Sequence, residues 1–288
     1  MSSNQFKSGF NYQDVGFILV MHLISIYGFM NFTLEALWII VIGHFVACCI
    51  GITFGFHRLF SHRAFKAVKP VQYLAAFCGT LAAQGSILEW VSHHRMHHAG
   101  SDTANDPHDA SKGFWFSHMF WFFQKRKQFD DPRVQRAYAR DILRDPILNA
   151  MSSRNFVGLA QLLLAIGLYL LGGINYVVWG IACRLVVSYH ITWCVNSVCH
   201  IWGYKNFEIE GEDRATNLWW VGILAWGEGW HNNHHAYPDS AKSGFKWWEF
   251  DLTFLLIRML KSFGLVSDLK DPMSQANSAN SQLQKQLG

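Results

Sequence analysis

Three clusters of histidine dominate the chain: His57-Arg-Leu-Phe-Ser-His62, His94-Arg-Met-His97-His98 and His231-Asn-Asn-His234-His235. Neutral imidazole suits iron, zinc, copper and nickel, so eight such side chains have the makings of a metal centre. At i, i+3 and i+4 the histidines of the second and third boxes share one helix face. The first box differs. Residues i and i+5 lie about 140° apart on a helix of 3.6 residues per turn, which suits a helix end where the chain turns away. No H-E-x-x-H occurs, and no box holds a carboxylate placed to activate water, which argues against zinc hydrolase chemistry. Eight histidines can hold two metal ions. An all-nitrogen pair of metals suits iron and dioxygen, chemistry that attacks unactivated C–H bonds as no side chain alone can.

The elements that must position these boxes are apolar. Of 288 residues 51% are hydrophobic, 16% aromatic and only 15% charged, below the about 25% charged content of soluble domains. Val15 to Met30 and Leu37 to Phe56 predict a helical hairpin that crosses a bilayer twice, with a more polar break over Asn31–Ala36. A Gly-Gly-Ile-Asn turn separates a second pair, Phe156 to Gly173 and Tyr176 to about Trp202. The expected fold is therefore an all-α integral membrane protein with four spanning helices in two hairpins. A cytoplasmic helical cap over 57–155 and 203–270 holds the histidines, and a polar tail runs over 271–288.

Lysine and arginine cluster in 57–154 and are absent from both hairpin turns, which places the 57–154 segment in the cytoplasm. Box parity then constrains Pro70–Val91. Were that stretch to cross, boxes one and two would face opposite sides and could not share a centre. It is expected to be re-entrant or interfacial, and Phe114–Phe123 and Leu218–Trp226 are too short to span.

The net charge of +4 and the absence of long basic runs exclude nucleic acid as a partner. The six cysteines form no C-x-x-C pair and are expected to be reduced, buried thiols. His22, His44, His93, His108, His118 and His190 lie outside the boxes and read as structural.

From about Gly51 to Lys270 the chain closely resembles the membrane fatty acyl desaturases of the stearoyl-CoA (delta-9) type. The stretches that carry the resemblance are GITFGFHRLFSHRAFKA, EWVSHHRMHHAGSDTANDPHDASKGFWFSHMFW, WCVNSVCHIWGY and GEGWHNNHHAYP. The TNLWWVGILAWGEGWHNNHH stretch is most similar to bacterial and cyanobacterial members, some of which act on acyl lipids.

The resemblance implies a di-iron centre with ligands His57, His62, His94, His97, His98, His200, His231, His234 and His235, and Asn196 holding a metal-bound water. It implies dioxygen as co-substrate and a cis double bond, at delta-9, as product. A bent acyl tunnel would be lined by Gln84, Trp90, Thr192 and Trp193 and closed at its far end by Phe45, with Lys125 and Arg126 near the phosphates of a carrier. Where the animal enzymes have Asn-Asp and Arg-Asp pairs that help hold coenzyme A, this chain has Gly85-Ser86 and Ser92-His93. The acyl carrier, coenzyme A or lipid, therefore stays open. Without a dinucleotide fingerprint or a His-Pro-Gly-Gly haem motif, electrons are expected from ferredoxin or cytochrome b5 with its reductase. The implied location is the bacterial inner membrane, with the site facing the cytoplasm. Two other readings share part of the pattern: a membrane di-iron lipid or alkane hydroxylase, told apart by its product, and a non-catalytic metal-binding or transport protein, which would need ionisable groups lining a path across the bilayer.

Overall fold

In the computed structural model, which describes residues 9–272, helices account for nearly all regular structure. The expected polar tail lies outside the described residues from 273 onward. Two antiparallel ladders of two residues each are the exceptions to the all-α expectation. Gly9–Phe10 pairs with Gln124–Lys125, and Lys66–Ala67 pairs with Val266–Ser267.

Three helical stretches are long and apolar enough to cross a membrane: Tyr12–Met30, Leu34–Ser61 and Arg154–His200. The first ends where Asn31 caps it, and the second begins where the Thr33 hydroxyl accepts from the Ala36 amide at 3.3 Å. The third reverses within itself. Gly172 and Gly173 leave helical geometry, and Gly173 takes a φ of 67°, open to glycine without penalty. The reversal is visible in packing: a Cβ on Gly180 would meet the Leu168 side chain at 2.5 Å. Twelve residues of continuous helix would hold those positions about 18 Å apart. The turn is thus tighter than the four-residue one expected. The returning helix also stops earlier than predicted: it ends at Asn196, and Val198–His200 forms a separate 3₁₀ turn.

The outward faces of these stretches are bare hydrocarbon. Leu19, Leu23, Ile26, Trp38, Ile42, Leu162, Leu163, Leu170 and Leu171 are all exposed. Large contiguous apolar surface of this kind marks contact with a membrane or a partner rather than with water.

Pro70–Val91 is not one helix. Lys69–Thr80 and Ile87–Ala99 are separated by a break at 81–86, and neither reaches the about 20 residues that a span requires. Lys69–Thr80 lies directly against Leu34–Ser61, so close that a Cβ on Gly51 would meet the Gly79 backbone nitrogen at 2.2 Å. Glycine at the crossing is what lets the backbones touch. The break is tied to the second hairpin: Gln161 donates to the Leu81 carbonyl at 3.0 Å and Arg184 to the same oxygen at 2.9 Å. Ser86 starts the next helix through a reciprocal capping box with Glu89. All six cysteines are free, and all but the half-buried Cys194 are buried.

Candidate metal centre

Each box sits where a helix meets the cap. Box one occupies the end of Leu34–Ser61, where hydrogen bonding has widened from i→i+4 to i→i+5 over Phe45–Ser61. The His62 amide donates to the His57 carbonyl at 3.1 Å. Widening sets residue i+5 nearly above residue i, a geometry frequent at functional sites. The two rings therefore meet, centroids 4.8 Å apart, instead of diverging by the angle an ordinary helix would impose. Box two lies within Ile87–Ala99 and box three within His231–Ala236.

The nine histidines assemble into two groups. His57, His62, His94, His98 and His234 form one, and His97, His200, His231 and His235 the other, each with ligand nitrogens within 4.8 Å of one another. The shared helix face expected for boxes two and three thus straddles both groups. The i and i+4 members of box two join the first group and those of box three the second, while each i+3 member crosses to the other. His200, far from any box in sequence, completes the second group from its 3₁₀ turn.

Behind the rings stands a layer of carboxylates that the sequence reading missed. His97 Nδ1 lies 2.9 Å from Asp106, His200 Nδ1 2.9 Å from Asp102, His235 Nδ1 2.6 Å from Asp213 and His57 Nδ1 2.7 Å from Glu228. For His97, His200 and His235 the carboxylate is hydrogen-bonded to Nδ1, which fixes the proton there and leaves a lone pair on Nε2. His97 Nε2 and His235 Nε2 then face each other at 3.2 Å with no proton between them. His200 Nε2 meets His231 Nε2 at 3.0 Å and His57 Nε2 meets His234 Nε2 at 3.1 Å, pairs in which a carboxylate stands behind only one of the two rings. Converging lone pairs at such distances repel unless a cation sits among them, so the donor set fits metal ions. Asp102 and Asp106 follow box two within eight residues, and Glu228 precedes box three by three; that proximity was the available signal. Asp213 offers none.

Electrostatics keeps the rings ready as ligands. Burial, and then the neighbouring imidazoles, hold His94, His98, His231, His234 and His235 well below the ordinary histidine pKa. His62 is lowered in the same way, with Arg95 adding to the effect. His97 behaves differently: burial works against its charged form, but the Asp106 carboxylate outweighs it and the pKa rises. Asp106 responds in kind, its burial overridden by His97 and His108, and falls far below the carboxylate range.

A narrow cavity runs beside the two groups. One part is lined by His44, Cys48, Thr53, His57, Trp226 and His231, the other by Gln84, Trp121, Phe122, Tyr189 and Trp193, and both by Trp90, His94, Thr192 and Asn196. At the join, Gln84 donates to the Thr192 hydroxyl at 2.9 Å and accepts from the Trp90 indole at 3.2 Å. Gln84 also lines a wider, open cleft with Asp14, Glu89, Lys125, Arg126 and Arg154.

The expected substrate residues thus mostly gather here, with two differences. Phe45 does not line the cavity; its ring packs edge-on against Trp226, centroids 5.4 Å apart, and Trp226 forms the wall. The Arg126 guanidinium does not point freely into the cleft. It donates to the Pro107 carbonyl and lies over the Phe129 ring at 4.5 Å. Of the histidines read as structural, His44, His93 and His108 line the cavity. His22, His190 and His118 connect through ring nitrogens at 3.0 Å each, and His118 ends on the Ser197 hydroxyl at 2.9 Å.

Membrane-length apolar helices, two polyhistidine groups that could each hold a metal ion and a narrow cavity beside them define a helical protein with a candidate metal centre. The family model described as fatty acid desaturase matches residues 33–263. The sequence is 41% identical over 92% of its length to the sn-1 stearoyl-lipid 9-desaturase of Anabaena variabilis, covering 95% of that protein. It is 44% identical over 88% of its length to the sn-2 palmitoyl-lipid 9-desaturase of a Nostoc species, covering 87%. Against the icosanoyl-CoA 5-desaturase of Limnanthes douglasii the identity is 40%, over 90% of this chain and 72% of that one. The chain belongs to the fatty acid desaturase family, and its enzymatic class is that of an oxidoreductase acting on fatty acyl chains.

Proposed function

We propose that this desaturase introduces a cis double bond at delta-9 into the saturated acyl chain of a membrane lipid. Nine histidines, in groups of five and four, would hold two iron ions, with Asn196 in the cavity that both groups line to hold a bound water. The observation that carries this reading is the cavity that brings Thr192, Trp90 and Asn196 to His94 at the point where Gln84 bridges Thr192 and Trp90. A hydrogen-bonded side chain there can hold a bent acyl chain so that a single methylene pair faces the metals, and aromatic walls exclude water.

Iron bound at this site would supply the dioxygen activation needed to remove hydrogen from unactivated methylenes. The protein's own part is to hold neutral imidazoles in place, orient them through carboxylates and fix the chain in register. A lipid carrier is favoured by the two lipid-desaturase relatives and by Gly85-Ser86 and Ser92-His93. The second hairpin's reversal at Gly172-Gly173 supports a four-span arrangement, and the lysines and arginines of 57–154 support a cytoplasmic side for the boxes, in a bacterial inner membrane. Electrons would come from an external one-electron carrier, ferredoxin or cytochrome b5 with its reductase.

Expression in a bacterium lacking such an enzyme, together with a ferredoxin and its reductase, tests the proposal by mass spectrometry of total fatty acids. A new delta-9 double bond, lost in His97→Ala, is the expected result. Hydroxylated products, or unchanged lipids despite bound iron, would overturn it.

A further inference from the structure

The structure carries a line of arginines that neither the cavity nor the metal centre uses. Arg133 and Arg136 on Pro132–Tyr138, and Arg140 and Arg144 on Arg140–Arg144, line a shallow groove with Ala137 and Leu143. Their spacing of three, four and four residues puts them on one exposed side of the helix pair, while Gln135, Ala139 and Ile142 face inward. No carboxylate within the groove neutralises them. Asp141 is held by Arg95 and Arg63, and Asp145 by Lys69 and Tyr73. Only Asp131 approaches, 3.9 Å from Arg133. Among the described residues Arg136, Arg140 and Arg144 have no ion-pair partner, and with the loosely paired Arg133 they form a repulsive row that an acidic partner would relieve.

Directly behind this groove lies a short connection to the histidines. Arg95, between His94 and His97 in box two, donates to Asp141 at 2.8 and 2.9 Å and to the Tyr138 carbonyl at 2.7 Å. The same guanidinium donates inward to the Phe60 carbonyl at 2.6 Å and, through Nε, to the Ser61 carbonyl at 3.1 Å. Ser61 is bonded to His62. One side chain, itself next to His94 in sequence, therefore joins the arginine-lined surface to the backbone beside His62, and both histidines belong to the first group. Simple attraction to a lipid headgroup would need no such link.

We propose that the Arg133–Arg144 face is the docking surface for a small acidic one-electron carrier protein, and that Arg95 couples that face to the first histidine group. This rests on the reading that the electrons are supplied from outside the chain. The carrier's acidic face meets the arginines, so association is salt-sensitive and its strength follows the charge of this face rather than the net charge of the protein.

The test is the affinity of the purified, full-length protein for a plant-type [2Fe–2S] ferredoxin, measured with and without iron at low and high salt. The triple variant Arg136→Glu/Arg140→Glu/Arg144→Glu is compared with Lys205→Glu/Arg258→Glu/Lys261→Glu, which makes the same charge change elsewhere. The expected result is binding weakened tenfold or more, with a flattened salt dependence, in the arginine variant only. Metal content and melting temperature report on folding. Equal effects in both variants, or none in either, overturn the proposal. So does an arginine variant that keeps its ferredoxin affinity but loses stabilisation by added phosphatidylglycerol, which would assign the face to anionic lipid. Because binding is read without turnover, a protein that binds ferredoxin yet makes no double bond counts against the functional reading and not against this surface.

Discussion

Glu228 touches His57 and Arg58 at once: one carboxylate oxygen lies 2.7 Å from His57 Nδ1, and the other accepts from Arg58 at 3.0 Å. A residue three positions before box three thereby places a negative charge against a box-one ring. Replacing Glu228 by Gln keeps the shape and removes the charge. Metal affinity is expected to fall about 10–100-fold, as for other carboxylates behind metal-bound histidines. Competition with a chelator measures this, and an affinity equal to wild type would show that the carboxylate does not support the ligand.

Arg58 itself is 1% exposed and is held between Glu228 and Asp251. Arg58→Ala leaves two buried carboxylates without their cation, a change that typically costs about 3–5 kcal/mol. A large drop in melting temperature is expected even in metal-free protein. A drop within a degree of wild type would mean that water replaces the guanidinium.

Acid should weaken the metal-free protein in a defined window. His62, His94, His98, His231, His234 and His235 have pKa values held below 6.5 by burial and then by neighbouring charges. Below about 6.5 the unfolded chain binds protons that the native chain refuses, so stability falls as pH drops from there toward the native values. Above 6.5 this contribution is complete. Melting temperature scanned from pH 8 to 5 should be flat and then decline, and metal binding should fail over the same range because ligands must be neutral. A flat scan throughout would show that the rings are open to water.

The cavity wall makes a prediction about chain length. Trp226 lines the end near His44 and Cys48, and Phe45 braces it from behind. Trp226→Ala should lengthen the acyl chains accepted, and Phe45→Ala should do so less. Product profiles by mass spectrometry distinguish the two, and the reverse order would put Phe45 at the wall.

Much of this site was legible in the sequence because metal chemistry is local: boxes of i, i+3 and i+4 announce a ligand face, and runs of apolar residues announce the helices that carry it. Parity between boxes led to the expectation that Pro70–Val91 is re-entrant or interfacial, and the structure divides it into two helices, neither of spanning length. What escaped was long-range or conformational. The split of His97 from His98 depends on where two helices stand in space. The widened helix beneath box one has no signature in residue type, so its i+5 spacing read as a chain end. Asp213 reaches His235 from a loop with no motif around it, and the swap of Phe45 for Trp226 at the wall turns on a contact between segments far apart in sequence.

The pairing of His57 with His234, separated by 177 positions, also has a consequence for biosynthesis. Chains emerge from the ribosome in order, and contacts across such a distance close late. Box one is made early, and its imidazoles wait for those of box three until residue 235 has been made. Neither histidine group is complete before box three. A nascent chain ending just before box three would hold four of the five histidines of the first group and two of the four of the second.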